Sequence, residues 1–363
     1  MVTGFRRKLQ FSTAVWVFVA AAELASGQET VEAGRGPRSV PAKRSPAVDA
    51  DTTELMAPAR SAVEKGLAFL AVRQLDDGSL STSGYGRNAA VCALAGMAWL
   101  SGGSTPGRGP YGEEVSRVSD FLLDHSQQSG FITIEGAQSH GPMYEHGFAT
   151  LFLAEVYGMS PRDDLREKLA GAIDLIVRTQ NDEGGWRYQP RRADADISVT
   201  ICQVMALRAA RNAGLAVPNE TIERCVDYVK RCQNPDGGFR YMLQGGESAF
   251  PRSAAGVVAL YSAGVYEGRE IERGLAYLEQ FLPQGQAIGT DGHFFYGHYY
   301  AVQAMWQAGG ERWERWYTAI RDVLVARQQP DGSWADPVSS EYGTAMATII
   351  LQMPDNSVPI FQR

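Results

Sequence analysis

The chain has 363 residues, 44% of them hydrophobic and 21% charged, which is enough apolar material for a large core and excludes a disordered polyelectrolyte. Its formal net charge of −7 argues against nucleic acid as a partner, because phosphate binding needs a basic surface. In chain order, residues 1–27 read as a signal peptide: Arg6, Arg7 and Lys8 precede an apolar run over 9–22, and Ala25, Ser26 and Gly27 offer a small-residue cleavage site. About 14 apolar residues are short for a bilayer span. Cleavage near Gly27 would remove three bases and one acid, leaving a mature chain of net charge −9 with no transmembrane segment, periplasmic or extracellular in location. An uncleaved anchor is the alternative. Residues 28–54, rich in Pro, Arg, Ser and Ala without periodicity, read as a flexible linker.

Residues 55–355 carry an internal repeat marked by turn glycines: Gly78 in "QLDDGSL", Gly130 in "QQSGFI", Gly184 in "QNDEGGW", Gly237 in "QNPDGGF", Gly292 in "TDGHFF" and Gly332 in "QQPDGSW". Four copies keep a Gln, acid, Gly, small, bulky apolar spacing. The second copy is contracted and the fifth lacks the Gln. Each repeat reads as two helices around the turn. In the third, Ser160, Pro161, Arg162 and Asp163 predict a capping box, after which Leu165, Leu169, Ile173 and Ile176 recur at helical spacing with charges between them. The helix beyond the turn, "ISVTICQVMALRAA", is apolar on nearly every side and should be buried. The corresponding helices elsewhere, among them "AVCALAGMAWL" and "YYAVQAMWQAG", share that character. Six amphipathic and six buried helices in strict alternation predict an all-α fold, a closed (α/α)6 toroid of six outer and six inner helices, because an open stack would expose a flank of its first and last inner helices. Residues 356–363 form a C-terminal tail. Cys225 and Cys232 lie two helical turns apart, roughly 10.5 Å, too far for a disulfide. With Cys92 and Cys202 inside apolar helices, all four are expected to be buried free thiols.

The repeated Gln-acid-Gly-Gly-Trp turns resemble the QW-like repeats of squalene and terpene cyclases and of the β subunits of protein prenyltransferases, over essentially the whole of 55–355. The resemblance implies a structural role for the repeat, with Gln180 and Trp186, and Gln328 and Trp334, bracing outer helices at the turn. It also implies a central cavity for an apolar, isoprenoid ligand. Class II cyclases carry Asp-x-Asp-Asp at the start of an inner helix, and the middle acid protonates an alkene. Asp196 matches that acid and Asp194 the first, while Ile197 replaces the third. Zinc prenyl transfer would need an Asp, a Cys and a His at inner-helix starts. His298 stands near such a start but no Cys does, so no metal and no cofactor are expected.

Aligning the inner helices by their apolar patterns places Asn88, Gly147, Ser198, Ser253, His298 and Gly343 together. The position two before holds Gly86, Glu145, Asp196, Pro251, Tyr296 and Glu341, and the one between holds Arg87, His146, Ile197, Arg252, Gly297 and Tyr342. Polar groups gathered at one mouth of an apolar ring are what a ligand site looks like. The candidate catalytic set is Asp196 and Asp194 as an acid pair, with Glu145, His146 and His298. The candidate substrate-binding set is Tyr144, Arg252, Tyr296, Tyr299, Arg87 and Glu341. The bland alternatives are that Asp194 and Asp196 cap a helix and that Arg87 and Arg252 pair with acids of neighbouring repeats. With inner helices 8–10 Å apart, opposite axes of a six-membered ring lie roughly 20 Å apart, so His146 and His298 cannot share a metal ion. The expected function is that of an exported terpenoid-cyclase or prenyltransferase-like protein with acid-initiated chemistry. A polysaccharide-active enzyme, or a non-catalytic toroid with a protein partner, stands as the alternative.

Overall fold

The computed structural model describes residues 54–160, 162–283 and 293–362. The signal segment 1–27, the linker up to residue 53, Pro161, Gly292 and Arg363 lie outside the described residues. Twelve α-helices follow one another among those described: α1 (Arg60–Arg73), α2 (Ala89–Ser101), α3 (Gly112–Asp124), α4 (Pro142–Met159), α5 (Asp163–Thr179), α6 (Ile197–Asn212), α7 (Asn219–Arg231), α8 (Phe250–Ser262), α9 (Arg269–Glu279), α10 (Phe294–Ala308), α11 (Gly310–Arg327) and α12 (Ser340–Leu351).

Their burial follows from their residues. Odd-numbered helices carry one apolar stripe: α7 buries Thr221, Ile222, Cys225, Tyr228 and Val229 and turns its charges to water. Even-numbered helices have no polar face to expose, and every residue of α2 is buried. A helix apolar all round needs neighbours all round. Each even helix packs on the next, α2 through α12, and α12 packs back on α2. Each odd helix lies in the groove between two even ones, with α1 between α12 and α2. This is the predicted (α/α)6 toroid, closed so that no inner helix has an open flank. None of the described helices is long and apolar enough to cross a membrane. The four cysteines are buried and free.

The repeated turns join the two layers. Gln180 donates its Nε2–H to the carbonyls of Gly184 and of Thr221, both at 2.9 Å, tying its own turn to the first turn of α7. Gln233 does the same to Gly237 and Glu270, Gln74 to Gly78 and Glu114, and Gln328 to Gly332 and Ala62. The Gln328 bond to Ala62 ties the last turn to α1. The indole N–H of Trp186 donates to the Ile176 carbonyl (2.8 Å) and that of Trp334 to the Leu324 carbonyl (2.7 Å), locking each ring to its own outer helix. Gly184 sits at φ +100°, and a Cβ there would lie 2.1 Å from the Arg224 carbonyl oxygen of α7. Gly78, Gly130, Gly237 and Gly332 press in the same way on the following outer helix. The glycine is therefore required twice over, by conformation and by contact.

The capping box expected at Ser160 is not formed. Helix α5 begins at Asp163 with Arg162 at the N-cap and no side-chain cap bond. Arg162 pairs instead with Asp164 and Asp120, which draws the chain across to α3. At the C-terminal ends of the inner helices the chain's own last residues form a floor. The Phe361 carbonyl accepts the Trp306 indole N–H (2.9 Å), the Gln362 carbonyl accepts from Gln307 (3.0 Å), and the Phe361 ring meets Tyr299 edge-on.

Candidate functional site

The site is set by how each inner helix enters from its turn. The main-chain N–H two residues past the turn glycine needs an acceptor, because it is buried. Trp186 N–H finds Thr200 Oγ1 (3.1 Å), Phe239 N–H finds Ser253 Oγ (2.8 Å), Trp334 N–H finds Thr344 Oγ1 (3.0 Å), and Ile132 N–H finds His146 Nδ1 (3.2 Å). Thr200, Ser253, Thr344 and His146 are therefore equivalent, and they face the turn. This register corrects the pattern-based columns, in which these four residues fall at different positions. Two residues earlier, on the opposite side of the helix end, stand Ser198, Pro251, Tyr342 and Tyr144. All four line a cavity of about 350 Å³ at the N-terminal ends of the inner helices.

The wall of this cavity is aromatic and aliphatic. Tyr85, Tyr144, Tyr188, Tyr241, Tyr296 and Tyr342 supply rings, and Val91, Leu94 and Phe148 supply the apolar base. Tyr299 lies one layer below, between Phe148 and Phe361, and its hydroxyl is buried without a hydrogen-bond partner. Polar lining comes from Arg252, His140, His293, Asn88 and two serines. No Asp or Glu among the described residues is part of the lining.

Of the candidate residues, Tyr144, Tyr296 and Arg252 line the cavity. Tyr296 donates its hydroxyl to the Ser198 carbonyl (3.0 Å). The other candidates are placed elsewhere. Asp196 is wholly buried at the N-cap of α6. One oxygen accepts Val199 N–H (2.8 Å), and the other accepts the Tyr241 hydroxyl (3.1 Å) and lies 3.6 Å from Arg187. Burial pushes its carboxyl up to about 6, while the hydrogen bonds from Val199 and Tyr241 and the Arg187 charge oppose that rise. Asp194 is half-buried and ion-paired with Arg187, whose hydrogen bond holds its carboxyl below the ordinary value. Arg187 thus comes between the two acids, and they do not form a pair sharing a proton.

Glu145 is buried behind the wall, where it accepts Ile134 N–H (3.1 Å), and burial raises its pKa. His146 accepts at Nδ1, so its proton is on Nε2, which meets the Ala172 carbonyl at 3.1 Å. Burial depresses its pKa to about 4, and the ring is a neutral structural bridge to α5. His298 sits among the rings of Phe250, Phe294 and Trp316 with Nδ1 unbonded, and burial depresses its pKa to about 3. Arg87 pairs with Asp77 of its own turn (2.6 Å), and Glu341 pairs with Arg73 of α1 (2.8 Å). The structure thus brings neither Asp196 to Arg252 nor Glu341 to Arg87.

Two wall residues escaped the candidate set although they stand in the repeated turns. Tyr188 follows Trp186 and Arg187, and Tyr241 follows Phe239 and Arg240, each two residues past the bracing aromatic. Their hydroxyls hydrogen-bond to each other, and Tyr241 passes the chain on to Asp196. The Arg187 guanidinium lies over both rings, 5.1 Å and 5.8 Å from their centroids. The recurrence of Arg-Tyr after the aromatic was the signal that could have found them.

Residues 149–287 match the squalene-hopene cyclase C-terminal domain. The chain is terpene-cyclase-like. Over 182 residues it is 26% identical to drimenyl diphosphate synthase of Streptomyces showdoensis, covering 50% of this chain and 32% of that relative, so it spans about a third of the relative's length. The terpene-cyclase-like toroid also superposes on a type II terpene cyclase from Scytonema in complex with its product, merosterolic acid A. That match has a TM-score of 0.57 at 15% identity and covers 84% of this chain and 99% of that one. An α-1,6-mannanase of Salegentibacter in complex with α-1,6-mannotetrose matches with a TM-score of 0.60 at 10% identity, covering 81% and 98%. Structural likenesses at these identities establish the toroid and leave activity to the site.

Proposed function

We propose that this terpene-cyclase-like toroid is an exported protein whose cavity binds an apolar ligand of isoprenoid character. The observation that carries the reading is the cavity wall: about 350 Å³ at the inner-helix N-termini, ringed by tyrosines, closed below by Val91, Leu94 and Phe148, and lined by no carboxylate among the described residues. That volume falls within the range of small-molecule sites. A glycosidase needs two carboxylates flanking the scissile bond, and a wall with none among the described residues supports a hydrophobic ligand over a glycan. The likeness to type II cyclases, one of them in complex with merosterolic acid A, favours an isoprenoid within the apolar class. Tritiated geranylgeraniol should bind the purified chain with a stoichiometry near one. Ala90→Phe, which extends a ring into the cavity, should weaken it by about 10-fold or more while the protein stays folded. Failure of geranylgeraniol to bind would count against the reading.

Acid-initiated cyclisation is a second reading, favoured by one observation: the hydrogen-bonded chain from Asp196 through Tyr241 to Tyr188 ends at the wall. A phenol with an ordinary pKa near 10 is a weak donor to an alkene, and the buried acid behind it accepts hydrogen bonds that favour its ionised form. Binding therefore has the stronger support. Conversion of a polyprene that is lost in Asp196→Asn, with binding retained, would promote the second reading. Export rests on the basic, apolar and small-residue segments of 1–27. N-terminal sequencing of the chain from its native host should begin near Gln28, and a mature chain starting at Met1 would refute cleavage.

A further inference from the structure

Charge is unevenly shared around the cavity. Among the described residues its lining includes one arginine, Arg252, and the two histidines His140 and His293; the half-buried Asp336 interacts electrostatically with both histidines, and no acid is ion-paired with Arg252. Three other arginines at this end are ion-paired: Arg87 with Asp77, Arg187 with Asp194 and Asp196, and Arg73 with Glu341. Arg252, on the first turn of α8, is held differently. Its Nε donates to the Phe239 carbonyl (3.2 Å) and an Nη to the Glu247 carbonyl (2.6 Å). Both partners are neutral. Among the described residues no carboxylate oxygen lies within 4.0 Å of the guanidinium. Two carbonyls fix the plane of the group and leave its second Nη without a protein partner among the described residues.

A half-buried cation held in place by neutral groups and lining an apolar cavity is a poor device for stability, because its desolvation is not offset by an opposite charge. It is well suited to an anion delivered by a ligand, since a guanidinium fork matches carboxylate and phosphate oxygens. We propose that the ligand is an amphiphile with an acidic head: its tail lies among Val91, Leu94, Phe148 and the tyrosines, and a carboxylate or phosphate monoester meets Arg252 at the mouth. This rests on the apolar-cavity reading and adds the head group to it. The same geometry makes Arg252 the residue that orients the chain, head outward and tail toward the floor.

The test measures geranylgeranoic acid, geranylgeranyl monophosphate and geranylgeraniol by equilibrium dialysis against the purified full chain. At least one of the two anions should bind about 10-fold or more tighter than the alcohol, as a charge-assisted hydrogen bond implies, and the tighter of the two identifies the head. Arg252→Leu should bring that anion down to the affinity of the alcohol and leave the alcohol within about twofold, while Arg252→Lys should keep part of the preference. Thermal melts establish that each variant is folded. Should Arg252→Leu not fold, Arg252→Lys and the salt dependence of wild-type binding decide, a preference for the anion that collapses in high salt being the expected result. Equal affinities for alcohol and anions, or equal losses of both on substitution, would overturn the acidic head and spare the cavity reading. Absence of binding by all three would overturn both.

Discussion

Two positions on four of the inner helices, only two residues apart, are filled on different principles. On the turn side, Thr200, Ser253, Thr344 and His146 all accept the buried N–H that follows the turn glycine. On the cavity side, Ser198, Pro251, Tyr342 and Tyr144 have nothing in common but their place on the wall. The first position answers to the backbone, whose need for an acceptor is the same in these four repeats. The second answers to whatever occupies the ring, and a ligand has no sixfold symmetry. In this toroid sameness between repeats marks the scaffold, and difference marks the site.

The largest effect expected from breaking this distinction lies on the turn side. Gly184→Val must place a β-branched side chain at φ +100° and against the Arg224 carbonyl. The loss should be on the order of 3 kcal/mol or more, read as a lowered urea midpoint. The folded fraction should bind geranylgeraniol as the wild type does, because Gly184 faces α7 and is not part of the wall. A midpoint shift below about 0.5 kcal/mol, the scale of an ordinary surface substitution, would mean that the turn glycine is not what locks the two layers.

How far the sequence could be read follows the same division. The helices, their alternation and the closed ring were legible because amphipathic and wholly apolar patterns differ sharply, and because Gln180, Gln328 and their glycines recur. The site was legible only to the level of its end of the ring. Inner helices such as α2 and α6 are apolar on nearly every face, so aligning them by pattern has no unique register. The columns slipped, and His146 was grouped with Arg252 instead of Ser253. Counting from the turn glycine would have corrected three repeats, since His146, Thr200 and Ser253 each stand sixteen residues beyond Gly130, Gly184 and Gly237. Thr344 stands only twelve beyond Gly332, and Gly292 of the fifth repeat lies outside the described residues, so the rule is not uniform. Asp196 drew attention as an acid at a helix start. That is also where an N-cap belongs, and the composition of the segment does not say which way the carboxylate turns.

His146 offers the finest test of the comparison, because it is the one turn-side acceptor that can titrate. Its Nδ1 accepts from Ile132 and its Nε2–H meets the Ala172 carbonyl, so the folded protein holds it neutral, with a pKa lowered from 6.5 to about 4 by burial. The unfolded chain takes up its proton near 6.5 and the folded chain only near 4. Stability from this group is therefore complete above 6.5 and is lost as the pH falls from 6.5 to 4. Asparagine can place an amide oxygen near the position of Nδ1 but cannot titrate or reach Ala172. His146→Asn should cost about 1–2 kcal/mol at neutral pH for the lost hydrogen bond. Between pH 6.5 and 4 its stability should fall less steeply than that of the wild type, by close to one proton in the slope. His298 shifts in the same direction, to about 3, and remains in both proteins, so it does not contribute to the difference. Urea midpoints taken across that range measure the two slopes. Parallel curves would show that His146 is free to protonate in the folded state. It would then belong with the variable residues of the wall instead of the constant acceptors of the turn.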